Sequence, residues 1–168
     1  VAYEVMSRML TDFTEEELKY CINSAYDKKF DTDVIAPLVK KAGANYLELF
    51  HGSTIAFKDM ALSILPYLLV TSAKKNNIKN DIVILTATSG DTGKAALDGF
   101  KDVENTSIIV FYPEDGVSPM QKRQMATQEG KNVEVCAING NFDDAQTGVK
   151  KAFASFNASK ADFGNKFL

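Results

Sequence analysis

The first half of the chain is dominated by apolar residues at helical spacing. Thr14 followed by Glu17 matches a capping box, and the apolar stripe after it predicts a helix that runs to about Tyr26. A later stretch is apolar on most faces and contains Pro66, which indicates a buried helix with a kink or an adjusted start near Pro66. The pattern predicts helices over 14–26, 33–42 and 57–75, the second of them weak and ending at Gly43, and a short strand over 46–50.

The second half alternates between β-branched runs and helical stripes. The runs predict strands over 81–86, 107–112 and 132–138, and the stripes predict helices over 92–100, 119–128 and 142–156. This rhythm is typical of a parallel sheet with helices on both faces. We therefore predict an α/β protein with a three-layer arrangement, in which an N-terminal helical segment (1–45) precedes an α/β domain (46–168).

Composition and charge narrow the class of protein. The 168 residues are 45% hydrophobic and 24% charged, which predicts one ordinary globular domain. The net charge is −3, so we do not expect the protein to bind nucleic acid or an anionic membrane surface. No apolar run approaches the roughly 18 residues that a membrane span needs, and no signal peptide is visible. Cys21 and Cys136 are unpatterned, which predicts reduced cysteines and a cytoplasmic location.

Both ends of the sequence look cut. Val1 is not a start methionine, and the chain closes on Lys166-Phe167-Leu168, which resembles the beginning of a strand. We therefore expect a fragment of a longer protein.

The turn from Thr86 to Gly93 is the first candidate site. It leaves a predicted strand at its carboxyl end, where open parallel sheets bind ligands, and its hydroxyls and backbone N–H groups could hold a carboxylate or a phosphate. The alternative is an ordinary strand-to-helix turn with a capping residue. The turn matches neither a Walker A loop nor Gly-x-Gly-x-x-Gly, and the loops at 113–118 and 139–142 are plainer.

Lys58 is the second candidate. It opens an apolar helix in an apolar neighbourhood, and helix potential and desolvation both favour the neutral, nucleophilic amine. Such an amine can form a Schiff base with an aldehyde cofactor. The alternative is a surface lysine paired with the adjacent Asp59. His51 is the only histidine, so His-rich metal sites are excluded, and we interpret it as a turn or core residue.

Two motifs together carry a resemblance to a known family. His51–Asp59 resembles the cofactor-lysine motif of the threonine synthases, which belong to the pyridoxal-phosphate fold type II enzymes, and Thr86–Gly93 resembles their substrate-carboxylate loop. The similarity continues from about Leu47 to Lys151. In two places the sequence departs from the wider family: Ser53 replaces the usual Pro, and Asp91 stands where many fold type II relatives carry Asn.

The resemblance implies specific roles for these residues. Lys58 would form the Schiff base with pyridoxal 5′-phosphate and then shuttle protons, and Phe57 and Asp91 would also contact the cofactor. The loop would bind the substrate through Thr88, Ser89, Gly90, Asp91, Thr92 and Gly93. The reaction would convert O-phospho-L-homoserine and water to L-threonine and phosphate by γ-elimination followed by addition of water at the β-carbon.

The resemblance also implies that an important part is missing. In this family the glycine-rich loop that holds the cofactor phosphate lies downstream, in a second domain, and this sequence ends before any such loop. We therefore expect the chain alone to be inactive, to bind its cofactor weakly, and to expose surface through which it could form oligomers. Two other functions remain open: another fold type II enzyme, such as a threonine or serine dehydratase, and a non-enzymatic α/β domain that binds a small anion.

Overall fold

The computed structural model describes the backbone of residues 1–163 and the side chains of residues 1–155. The chain divides into two compact units, Val1–Ile78 and Lys79–Leu168, which are described separately. The expected strand start at 166–168 lies outside the described residues. Within the described part, no helix is both long and apolar enough to cross a membrane.

The first unit is mainly helical and includes one β-hairpin. Its elements are α1 (Ala2–Met6), α2 (Glu15–Ala25), β1 (Leu38–Lys41), β2 (Ala44–Leu47), α3 (Asp59–Leu62) and α4 (Leu65–Lys75). The predicted capping box at the start of α2 is confirmed, because the Thr14 hydroxyl accepts from the backbone N–H of Glu17, whose carboxylate accepts from that of Thr14. Helices α2 and α4 pack together, and Cys21, Ala25 and Ile64 form a small core beside them.

The helix predicted over 33–42 is wrong. Residues 38–41 instead pair antiparallel with 44–47, and a two-residue turn joins the strands. Both turn residues have positive φ, 49° at Ala42 and 80° at Gly43, as tight hairpin turns require. The strand predicted over 46–50 exists, but it begins at Ala44 and ends at Leu47.

The long apolar helix predicted over 57–75 is divided. Helix α3 ends at Leu62, and α4 begins at Leu65 with Pro66 in its first turn, where the missing proline N–H costs no helical hydrogen bond. The break near Pro66 is therefore confirmed. The segment is less buried than predicted, since Phe57 and Leu65 are exposed and Pro66 is the buried residue of α4.

The second unit is a parallel α/β arrangement. Its elements alternate strictly: β3 (Ile82–Ala87), α5 (Asp91–Phe100), β4 (Thr106–Pro113), α6 (Pro119–Ala126), β5 (Val133–Ile138) and α7 (Phe142–Phe163). The sheet order is β3-β4-β5, and both strand pairs are parallel. Helix α5 packs on β4 and against α6, while α7 packs on β3 and β4. The sheet is thus flanked by helices, which confirms the predicted fold class.

The centre of this unit lies between α5 and β4. Leu97 and Phe100 of α5 and Ile108 and Val110 of β4 are almost completely buried. Because α5 follows directly on the turn after β3, this packing fixes the start of α5 and therefore the loop at 86–93.

Candidate functional site

A buried carboxylate organises the loop that carries Lys58. Asp59 is 4% exposed, and its two oxygens accept from the backbone N–H of Thr54 at 2.9 Å and from the Thr54 hydroxyl at 2.5 Å. A Cβ on Gly52 would lie 2.5 Å from the Cβ of Asp59, so the loop closes tightly only with glycine there. Ile55 lies at a φ of 64°, a conformation that β-branched residues rarely adopt. The Asp59 carboxylate therefore fixes the turn that leads to Lys58.

His51 anchors the start of the same loop. Its Nδ1 lies 2.6 Å from Asp31 Oδ1, and its Nε2 lies 2.8 Å from Glu48 Oε2. Hydrogen bonds to Glu48 and Asp31 raise the pKa of His51 above its usual value of 6.5, so the imidazolium form is favoured. The backbone N–H of Asp31 also donates to the His51 carbonyl at 3.0 Å. His51 is a turn residue, as predicted, that joins three chain segments.

Lys58 stands at the start of α3, as the sequence predicted, but α3 has only four residues. Its side chain is partly exposed, and its Nζ lies 4.8 Å from the centre of the Phe57 ring. The alternative of a pair with Asp59 finds no support, since the Asp59 oxygens bind Thr54. None of the ion pairs found among the described residues includes the Lys58 amine.

The loop of the second unit is built around the Thr88 hydroxyl. Thr88 is 1% exposed, and its Oγ1 accepts from the backbone N–H of Gly90 at 2.9 Å and from that of Gly93 at 2.8 Å. A Cβ on Gly93 would lie 2.4 Å from the Thr88 methyl group and 2.8 Å from a methyl of Val110, so Gly93 lets α5 approach the sheet. Thr88 and both glycines thus shape the loop from within.

The outward side of this loop presents polar groups. Ser89 and Asp91 are exposed and Thr92 is partly exposed. One oxygen of Asp91 accepts from Lys94 Nζ at 3.2 Å and from Gln121 Nε2 at 3.0 Å. The hydroxyl groups of Ser89 and Thr92 and the N–H groups at the start of α5 are the donors on this surface that suit an anionic group.

Gln121 was not identified from the sequence as a site residue. Gly90 has a φ of 136°, and a Cβ there would lie 2.3 Å from the Gln121 side-chain carbonyl carbon. The side chain that packs against Gly90 therefore comes from α6. Ser118 followed by Gln121 is a capping-box pattern that could have drawn attention to this residue, although it would not have shown the contact with the loop.

The two candidate segments belong to different units. Lys58 and Phe57 lie in the first unit, and residues 88–93 lie in the second. Within each unit the structure brings the predicted residues together on one loop. In the described part of the chain, no cluster of three or more His, Cys, Asp or Glu side chains could hold a metal ion.

Comparison with known proteins points to one kind of enzyme, although no known sequence-family profile matches the chain. A threonine synthase from Pseudomonas aeruginosa is 41% identical over 92% of the chain, and one from Schizosaccharomyces pombe is 38% identical over 95%. The crystal structure of a PLP-bound threonine synthase from Brucella melitensis matches 95% of the chain with a TM-score of 0.80 and 37% identity. The chain spans about a third of the length of each of these proteins.

Proposed function

Because this chain is homologous to the threonine synthases over more than nine-tenths of its length, we propose that it forms part of an enzyme of that activity. The whole protein would convert O-phospho-L-homoserine and water to L-threonine and phosphate. The observation that carries the proposal is the setting of Lys58. A loop fixed by the hydrogen bonds of Asp59 to Thr54 presents its amine, which forms no ion pair with Asp59 among the described residues.

The residues present suit pyridoxal phosphate as the cofactor. Lys58 would bind its aldehyde carbon, and Phe57 and Asp91 would contact it. When bound, this cofactor supplies an electron sink for carbanion chemistry. The Lys58 amine would serve as the proton carrier, since it forms no ion pair with the described carboxylates.

The loop of the second unit would hold the substrate. Ser89 and Thr92 offer hydroxyl groups, and the start of α5 favours negative charge, so together they could bind the substrate carboxylate. Thr88, Gly90 and Gly93 would contribute indirectly, since the Thr88 hydroxyl already accepts from both glycine N–H groups. Together these residues would orient the substrate while Lys58 transfers its protons.

We propose that the remaining two-thirds of the protein supplies the site for the cofactor phosphate. That group carries close to two negative charges, which require several N–H donors when they are shielded from water. The sequence contains no second glycine-rich loop that could provide them.

Both cysteines are free, which supports the proposal of a cytoplasmic location.

The decisive experiment concerns Lys58 in the full-length protein. Reduction with borohydride in the presence of pyridoxal phosphate, followed by peptide mapping, should modify Lys58 ahead of exposed lysines such as Lys74 and Lys101. Lys58→Ala should abolish threonine formation while leaving the circular dichroism spectrum and the melting temperature unchanged. Labelling mainly at Lys74 or Lys101, with an active Lys58→Ala variant, would refute the assignment.

Substrate profiling separates this proposal from its nearest alternative. The full-length protein should release phosphate and threonine from O-phosphohomoserine. If it instead releases ammonia from threonine or serine and leaves O-phosphohomoserine untouched, the protein is a dehydratase.

A further inference from the structure

The Gln121 side chain serves two structural elements at once. Its Oε1 accepts from the backbone N–H of Ser118 at 3.0 Å, and the Ser118 hydroxyl accepts from the Gln121 N–H at 3.2 Å, which closes the capping box of α6. Its Nε2 donates to Asp91 Oδ1 at 3.0 Å. The amide thus joins the start of α6 to the start of α5.

We propose that Gln121 is a positioning residue that holds the Asp91 carboxylate and thereby sets the conformation of the loop at 86–93. Gly90 makes this possible, because the Gln121 amide occupies the space that a Cβ at residue 90 would need. The loop is therefore braced from within by Thr88 and from outside by Gln121. The catalytic significance of this brace rests on the function proposed above, whereas its structural significance does not.

Only an amide satisfies both neighbours of Gln121. The Ser118 N–H requires an acceptor and the Asp91 carboxylate requires a donor, and these demands also fix which way the amide points. A glutamate would preserve the capping box, in which it is a preferred residue, but would direct a second carboxylate at Asp91. The substitution Gln121→Glu therefore separates the role in α6 from the role at the loop.

Two ion pairs lie close to this contact. Lys94 of α5 pairs with the same Asp91 oxygen, and its side chain is only 10% exposed. The next residue of α6, Lys122, pairs with Glu114, which follows β4. The charge added in Gln121→Glu would therefore lie beside the Asp91–Lys94 pair.

The test compares the full-length wild type with Gln121→Glu and the double variant Gln121→Glu/Asp91→Asn. Hydrogen exchange measured without cofactor at pH 8 should be faster across 86–94 in Gln121→Glu, with the melting temperature nearly unchanged. The double variant should regain slow exchange, because an Asn at 91 can donate to the new carboxylate. With O-phosphohomoserine, kcat/KM of Gln121→Glu should fall about tenfold at pH 8.

Each outcome decides something specific. Unchanged exchange at 86–94 in Gln121→Glu would overturn the inference. If exchange responds as expected but the wild type makes no threonine, the brace is real and the proposed function is wrong. Should Gln121→Glu fold poorly, Gln121→Met is the second variant, because its thioether fills the space over Gly90 and donates nothing to Asp91. Since Met also removes the acceptor of the capping box, faster exchange must appear at 86–94 and not only at the start of α6.

Discussion

At the scale of single residues, Lys58 and Asp59 are neighbours with opposite environments. Asp59 is buried and both of its oxygens are bonded to Thr54, whereas Lys58 is partly exposed and its amine lies beside the Phe57 ring. An adjacent carboxylate would normally attract such an amine. No ion pair between the two is found among the described residues, so the loop holds the buried carboxylate and the amine apart.

Removal of the Asp59 carboxylate should destabilise the protein, because two buried hydrogen bonds to Thr54 are lost. In Asp59→Ala, the Thr54 N–H and hydroxyl lose their acceptors, and we expect the free energy of unfolding to fall by about 2 kcal/mol. Asp59→Asn is the matched control, because its carbonyl can still accept from the Thr54 N–H while its amide donates to the hydroxyl. Urea denaturation should give a smaller loss for Asn, and equal losses would contradict this account.

The stabilising effect of His51 should depend on pH. Glu48 and Asp31 raise the pKa of His51 above 6.5 in the folded protein, so protonation favours folding. The stabilisation is therefore complete below pH 6.5 and is lost as the pH rises through the raised pKa. Urea midpoints measured from about pH 6 to pH 9 should decline in the wild type. In His51→Gln the urea midpoint should change less over this pH range. An equally steep decline in the variant would show that other groups cause the pH dependence.

At the scale of secondary-structure elements, the sequence predicted the second unit well and part of the first unit poorly. All three strands and three helices of the second unit follow from its alternating periodicity. The hairpin was missed because Leu38–Lys41 lacks strand alternation and Gly43 resembles a helix end. The turn also places Ala42 at positive φ, where a Gly or Asn would have signalled a hairpin.

Part of the candidate site could be predicted from the sequence and part could not. The motifs drew attention to Lys58 and to residues 86–93 because those signals are local in sequence. The contacts of Asp31 with His51 and of Gln121 with Asp91 join residues that lie 20 and 30 positions apart. Periodicity contains no information about such pairs, so only the folded arrangement reveals them.

Asn132, just before β5, secures the connection between α5 and β4. Its Nδ2 donates to the carbonyls of Phe100 at 2.9 Å and Thr106 at 3.0 Å, and its Oδ1 accepts from the Asp102 N–H at 2.7 Å. Asn132→Asp would turn a donor into a carboxylate oxygen facing these carbonyls. We expect a loss of about 2 kcal/mol in the free energy of unfolding. Asn139→Asp, at an exposed position after β5, is the control and should cost little.

At the scale of the whole molecule, the chain spans about a third of the length of its relatives, and it exposes apolar side chains. The hairpin of the first unit is an example, since Leu38 and Leu47 pair across it and are 68% and 58% exposed. Val39 and Tyr46, also paired, are exposed as well. Exposed apolar surface of this kind favours association with other protein surfaces.

The 168-residue chain should behave differently from the full-length protein. Titrated with pyridoxal phosphate, the purified chain should show only weak, non-saturating absorbance changes and no threonine formation from O-phosphohomoserine. Sedimentation should reveal self-association that weakens in Leu47→Lys. The full-length protein, measured in parallel, should bind the cofactor stoichiometrically. Tight binding by the short chain would show that the phosphate site does not depend on the remaining residues.

The contact between Gly90 and the Gln121 amide has a consequence for how this protein can change over generations. A Cβ at residue 90 would overlap with the Gln121 side chain, so the residue at each position restricts which residues fit at the other. A substitution at 90 must also adopt a φ of 136°, which strains residues other than glycine, so a shorter residue at 121 removes the clash but not this strain. A shorter residue at 121 should therefore reduce the cost of a substitution at 90 without abolishing it, and the two sites should show partial epistasis.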